Sequence, residues 1–242
     1  MPSQQDGRSA ALALTVAEQL SQPSVAVALP SDLNAQRFVQ NAIAAVSGNE
    51  ALAAYTTAQL APAIMRGAML GLDFFNREAY LVPYGQQVQF QPSYTGLVKL
   101  ARKYGGVADV KAEVVREGDS FEMRMEDGRQ SFAFDPKPFN DGPVVGAFAV
   151  ATMRDGSIRV ERMTKRQLDN VKMTSRAQGG NAWKLFPEEM YRKAVIRRLC
   201  KGITIDFENA EQARAFREDV AEADRSGAEN PFEVEEEASD VG

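Results

Sequence analysis

Residues 71–106 read GLDFFNREAYLVPYGQQVQFQPSYTGLVKLARKYGG, and their pattern is strand, turn, strand, helix. Tyr80-Leu81-Val82 is β-prone and apolar, and Pro83-Tyr84-Gly85-Gln86 has turn chemistry. Val88 and Phe90 alternate with Gln87, Gln89 and Gln91 at the period of a half-buried strand. Ser93 is placed to cap a helix on which Tyr94, Leu97, Val98, Ala101 and Tyr104 form one apolar stripe. Lys99, Arg102 and Lys103 lie on another face of that helix, and Gly105-Gly106 ends it. A rigid hairpin and a basic helix thus gather glutamines, aromatics and three positive charges in a small volume. That set fits a polyanion with stackable bases better than it fits bond chemistry.

Upstream, residues 1–30 are rich in Ala, Ser and Gln, with one weak apolar stripe (Leu12, Val16, Leu20) and prolines at 23 and 30. This composition predicts a flexible N-terminal arm. A helix is expected from Ser31, carrying Phe38, Val39, Ala42, Ile43 and Val46 on one side and stopping at Gly48-Asn49. A short helix from Glu50 to about Gln59 follows, and Pro62 opens a third helix that Gly71 ends.

Downstream, strands are expected over Val107 to Val115, Phe121 to Met125 and Gln130 to Phe134, joined by turns into an antiparallel meander. After a proline-rich loop over 135–143, Val144 to Met153 reads as a strand buried on both faces. Ile158 to Arg162 alternates apolar with charged residues. Thr164 caps a helix reaching about Thr174, and a flexible glycine-containing connection leads to Trp183. The last long helix follows Pro187, with Tyr191, Val195, Ile196, Leu199 and Cys200 on one arc and Lys193, Arg197 and Lys201 stacked on another. Arg192 projects into the apolar arc, where a guanidinium must be paired or must reach a ligand.

The fold class predicted is α+β: an N-terminal helical lobe, a central antiparallel meander and crossing helices that form a basic groove. The core is set at residues 31–207, followed by a disordered acidic tail over 208–242. The tail holds twelve acidic and three basic residues, a net of −9, so the rest of the chain is basic although the whole has a formal charge of −5. From Arg154 to Lys201 thirteen basic residues face five acidic ones, which marks an anion-binding surface. Solvated helix faces account for such runs equally well.

With no histidine and a single cysteine, intrachain disulfides and the usual zinc ligand sets cannot form, and a reducing cytoplasm fits. Ser3-Gln4-Gln5-Asp6-Gly7 lacks the basic start of an export signal, and no apolar run approaches a membrane span, so a soluble, unexported protein is expected. His-based catalysis is excluded, and Cys200 on an apolar helix face reads as an inert core thiol. The carboxylate pairs Asp73 with Glu78, and Glu188 with Glu189, raise a Mg²⁺-dependent nuclease as a rival, although capping explains them better. No glycine-rich loop followed by Lys-Ser/Thr is present, which argues against nucleotide-driven action. Tyr80, Tyr84, Phe90 and Tyr94 beside Lys99, Arg102 and Lys103, and Trp183 between Arg176 and Lys184, supply the positive signal. Stacking on bases combined with phosphate neutralisation is how single strands are gripped without sequence readout.

Gly71-Leu72, Ala79-Tyr80-Leu81-Val82-Pro83-Tyr84, Val88-Gln89-Phe90-Gln91, Tyr94-Thr95-Gly96-Leu97 and Leu100-Ala101-Arg102 occur in that order. Phe186-Pro187-Glu188-Glu189-Met190 then leads into Lys193-Ala194-Val195-Ile196-Arg197-Arg198-Leu199. Together these motifs, over roughly Phe38 to Ile205, resemble the RecT family of phage single-strand annealing proteins. The resemblance implies an ATP-independent recombinase without bond chemistry that binds single-stranded DNA, pairs it with a complementary strand and holds the duplex. It implies a homo-oligomer, ring or helical filament, in the cytoplasm of a bacterial host, beside a phage exonuclease and the host single-strand-binding protein. No cofactor is required, with Mg²⁺ at most a modulator of annealing. A single-strand-binding coat without annealing activity is the nearer rival. Thr95 stands where lysine is common in that family. The DNA-binding set expected on all these grounds is Tyr80, Tyr84, Gln91, Tyr94, Thr95, Lys99, Arg102, Lys103, Lys165, Arg166, Lys172, Arg176, Trp183, Lys184, Arg192, Lys193, Arg197, Arg198 and Lys201.

Overall fold

The structure, a computed structural model, describes residues 4–175 and 178–217, and its chain clusters into two units. The first takes residues up to Gly96 and returns at Phe207, and the second takes Leu97–Asp206.

The first unit begins with α1 (Gln4–Ser21) and the single turn α2 (Pro23–Ala26). Helix α3 (Ala35–Ser47), a short 3-10 helix (Glu50–Leu52), α4 (Thr57–Leu70) and the hairpin β1 (Ala79–Tyr84) and β2 (Gln87–Pro92) follow. The expected flexible arm over residues 1–30 is instead largely a docked helix. Leu12, Val16 and Leu20, spaced four apart, are all buried, with α1 packed against α3 and α4. The Arg8 guanidinium clamps it further, donating to the carbonyls of Leu52 at 2.7 Å, Ala53 at 2.8 Å and Tyr55 at 2.6 Å. Three large apolar residues suffice once they share one face; Leu14, off that face, is exposed. Leu12→Ala is accordingly expected to cost about 2–5 kcal/mol, read as a lower denaturant midpoint; an unchanged midpoint would mean that α1 is not docked.

Helix α4 starts five residues before Pro62, because Thr56 and Gln59 form a reciprocal cap at its N-terminus. The short helix expected up to Gln59 therefore divides into the 3-10 turn and the first turn of α4. Pro62 sits inside, forgoing one intrahelical bond. Gly71 closes α4 in the left-handed conformation (φ 65°), as its sequence position suggested. Phe90 packs edge-on to Phe74 at 6.1 Å, and Phe74 meets Phe38 at 5.8 Å, which seats the hairpin on the helices.

Residues 207–217 belong to this unit. Gln212 is fully buried, and its amide and that of Asn209 each donate to the Ala28 carbonyl at 3.1 Å. The Phe207 and Phe216 rings meet at 5.4 Å. The first ten residues of the expected acidic tail are thus packed; residues 218–242 lie outside the described residues.

In the second unit, after the continuation of α5 (Tyr94–Tyr104), come β3 (Val107–Arg116), β4 (Ser120–Glu126), β5 (Arg129–Asp135), β6 (Val144–Met153) and β7 (Ile158–Thr164). The helices α6 (Lys165–Thr174), α7 (Asn181–Leu185) and α8 (Pro187–Lys201) complete it. The strands are antiparallel but do not form one meander. The order is β3-β6-β7, with β4-β5 a separate hairpin. The cause is β6, whose residues 146–151 are all buried, so it takes the centre with a partner on each edge. Its Phe148 and Val150 project to one face, where Phe121, Phe132 and Phe134 of the hairpin pack on Phe148 at 5.0, 5.7 and 4.9 Å. Alternation sends the small Ala147, Ala149 and Ala151 to the opposite face, and their size allows α8 to lie close. The Gln130 side chain stitches hairpin to sheet: its amide donates to the Val160 carbonyl at 3.3 Å and its oxygen accepts from the Val160 N–H at 2.8 Å.

Candidate nucleic-acid interface

In the first unit the hairpin turn is held firmly. The Tyr55 hydroxyl donates to the Gly85 carbonyl at 2.9 Å and the Gln59 amide donates to that of Gln86 at 2.6 Å. Tyr84, at the end of β1, is 40% exposed, enough ring to meet a base. Tyr80 and Tyr94 are half-buried, Thr95 is exposed, and the Thr95 hydroxyl lies 2.7 Å from that of Ser93 and donates to the Arg77 carbonyl at 3.3 Å. Gln91 departs from the expected surface position, being only 5% exposed on the face of β2 opposite Phe90. The Asp73 and Glu78 carboxylates accept backbone N–H groups, Asp73 from Phe75 and Asn76 and Glu78 from Asp73. They shape the turn before β1.

Along α5, Arg102 is exposed while Lys99 and Lys103 are half-buried. The Lys103 ammonium sits 5.1 Å from the Tyr104 ring centre, and Arg102 Nε donates to the Ala108 carbonyl at 3.1 Å.

The second unit divides its basic residues into two groups. One group is engaged within the protein. Lys165 Nζ pairs with Asp169 at 2.5 Å and lies over the Tyr191 ring, and the Asp169 hydrogen bond raises its pKa. Arg192 bonds Glu113 at 3.2 Å and also Glu189, supplying the partners that its place near the apolar arc demands. Arg116 bonds Glu188, and Arg198 bonds Glu161 at 3.1 Å. These contacts fix α8 against the sheet and α6 against α8, and they occupy Glu188 and Glu189. Lys193 joins this inner group at 8% exposure, although its helical projection stacks it with Arg197 and Lys201 on an arc apart from the apolar one. Arg197 is half-buried.

The second group faces outward: Arg166 on α6 and Lys184 on α7 are exposed and Lys172 is half-exposed, while Arg198 of the first group and Lys201, in the last turn of α8, are exposed as well. Arg154, Arg159 and Arg162, on or beside β7, are also exposed. They are absent from the residues expected from sequence, although the alternation of β7 already placed Arg159 on the face opposite the buried Val160.

Trp183 corrects the sequence reading most clearly. It was expected in a polar loop, available for stacking; it is 1% exposed in α7, packed on Tyr191 at 6.1 Å. A short helix after Gly180 turns it inward. Arg176 lies outside the described residues.

Cys200 is buried on α8, and desolvation pushes its thiol up to about 12, so almost no thiolate forms at neutral pH. A disulfide thiol reagent at pH 8 is expected to leave the native protein unmodified and to react once it is unfolded; rapid native modification would contradict the burial. Among the described residues, no group of three or more Cys, Asp or Glu side chains could hold a metal ion, and no helix is long and apolar enough to cross a membrane.

A family model described as the RecT family matches residues 36–234. Protein RecT of Escherichia coli (strain K12) is 34% identical over 205 residues, covering 78% of this chain and 75% of that protein.

Proposed function

Since the chain belongs to the RecT family, the single-strand annealing proteins of DNA recombination, we propose that it binds single-stranded DNA and the annealed duplex without ATP, through a basic groove formed by α6, α7 and α8. The observation that carries this reading is the partition of charge in the second unit. Arg192 on α8, Arg116 on β3 and Lys165 on α6 are locked to carboxylates, while Arg166 on α6 and Lys184 on α7 are exposed. The locked set positions the helices, and the exposed set meets phosphate.

Annealing on such a surface is physical. Two strands repel through their phosphates; lysine and arginine neutralise both and release condensed counterions, a gain that needs no sequence recognition. Base edges stay free to sample partners, and Watson–Crick pairing supplies the specificity. Tyr84 offers a stacking contact at the hairpin. The protein works as a homo-oligomer, ring or helical filament, in the cytoplasm of a bacterial host, beside an exonuclease that produces single strands and a host single-strand-binding protein. It breaks no bond and requires no cofactor, with Mg²⁺ tuning annealing through DNA charge.

Mixing two complementary labelled oligonucleotides with the protein, without nucleotide, and resolving the products on one gel tests the reading. Faster duplex formation is expected. Strands held apart would make the protein a coat, and shortened strands would make it a nuclease; either outcome overturns the proposal.

A further inference from the structure

An open cleft of about 500 Å³ lies at one end of the sheet in the second unit. Its floor is apolar, built from Val115, Phe121, Ala147, Phe148 and Met163, of which Val115 and Phe121 are only half-buried. Its rim differs in character. Arg162 and Arg198 stand there with a single carboxylate, Glu161, and Thr164 and Gln167 bring the N-terminal end of α6 to the same mouth, where the helix dipole favours negative charge. The cleft therefore suits a short ligand that is apolar at its tip and acidic along its flank. The Arg198–Glu161 ion pair lies at its rim and leaves the apolar floor open.

The chain itself contains such a ligand. Within 218–242, where ten acidic residues accompany one basic residue, Pro231-Phe232-Glu233-Val234-Glu235-Glu236-Glu237 is the segment that joins a large aromatic to a run of glutamates. The family match ends at residue 234, so Phe232 and Val234 fall inside it. Fourteen residues, 218–231, precede Phe232 after the last described position. Extended, they span about 45 Å.

We infer that Phe232 and Val234 dock into this cleft of their own chain, with the following glutamates against Arg162 and Arg198. Burial of one aromatic ring and one valine supplies the attraction, and the charges supply orientation and salt sensitivity. A consequence, which rests on the DNA-binding reading, is that the docked segment withholds these two arginines from DNA until phosphate displaces it.

Phe232→p-benzoylphenylalanine in the full-length chain tests docking directly, because ultraviolet light links the benzophenone to the C–H bonds that it touches. With no DNA present, the linked peptides are expected to contain Phe121, Val145 or Met163. In an equal mixture of heavy-isotope-labelled and unlabelled protein, each linked pair should carry one label only. Links elsewhere, or none, overturn the docking, and mixed-label links overturn its same-chain form in favour of a second copy. Val145→Glu, at an exposed position on the cleft wall, should remove most of the linking while the protein stays folded; undiminished linking counts against the cleft. The consequence is read separately. Phe232→Ala should tighten single-strand binding several-fold at about 20 mM salt and leave it unchanged near 200 mM, where the Debye length is roughly 7 Å. Normal linking with unaltered affinity would refute the masking while leaving the docking intact.

Discussion

Gly96→Ala is expected to destabilise the first unit by about 3 kcal/mol or more, at the upper end of what overpacking costs. Gly96 lies in the first turn of α5, just after the Ser93 cap, whose hydroxyl accepts the Gly96 N–H at 3.0 Å. A Cβ at Gly96 would stand 2.0 Å from the Glu78 carbonyl oxygen and 3.0 Å from its carbon. That carbonyl cannot easily retreat, because it accepts from both the backbone N–H of Ser93 at 3.0 Å and its hydroxyl at 3.1 Å. The Glu78 side chain is tied too, accepting the Asp73 N–H at 2.8 Å. One methyl group would therefore push α5 away from the start of β1. Gly179→Ala is the control, since nothing lies within 4 Å of its Cβ position and its melting should match the parent. Equal melting of both variants would mean that helix and strand are not packed this closely.

Combined Arg166→Glu, Lys172→Glu and Lys184→Glu is expected to weaken single-strand binding by on the order of 10²-fold at 0.1 M salt and to flatten the slope of log affinity against log salt by about 2. Each phosphate contact on a single strand contributes roughly 0.7 to that slope. The three side chains are exposed or half-exposed, and no ion pair described above involves them, so the fold should survive, as circular dichroism can check. Arg192→Glu should behave differently, because it sets three carboxylates together at Glu113 and Glu189 and loosens α8 before any DNA is added. A full-strength complex formed by the triple variant, with the parent's salt slope, would place the DNA elsewhere.

Local pattern carried much of the fold. The alternation of Val88 and Phe90, the Ser93 cap and the Thr164–Gln167 capping box lie within a few residues of the elements that they specify. The buried arc of α8, with Tyr191, Val195, Leu199 and Cys200, follows from helical period alone. What was not legible depends on distant partners. Nothing near β3 in sequence says that it pairs with β6 rather than β4, and Arg116 meets Glu188 across an interval that no period spans. Trp183 was misplaced because a five-residue helix leaves almost no periodic signal. The packed residues 208–217 were hidden by their neighbours' composition, although Glu208 and Glu211 are balanced there by Arg214 and Arg217.

For the candidate site, charge density singled out one stretch of chain, but sequence could not divide it. Arg192 and Arg166 are both arginines on basic helices; one is held by two carboxylates and the other faces solvent. That difference arises from Glu113 on β3, a residue 79 positions away.

The rate of annealing of complementary oligonucleotides by the triple charge-reversed protein, measured against the parent at equal concentration without nucleotide, tests most directly whether charge neutralisation on α6–α8 drives pairing. The parent should accelerate duplex formation with an effect that fades as salt rises, and the variant should approach the protein-free rate. A folded variant that anneals as fast as the parent would contradict it.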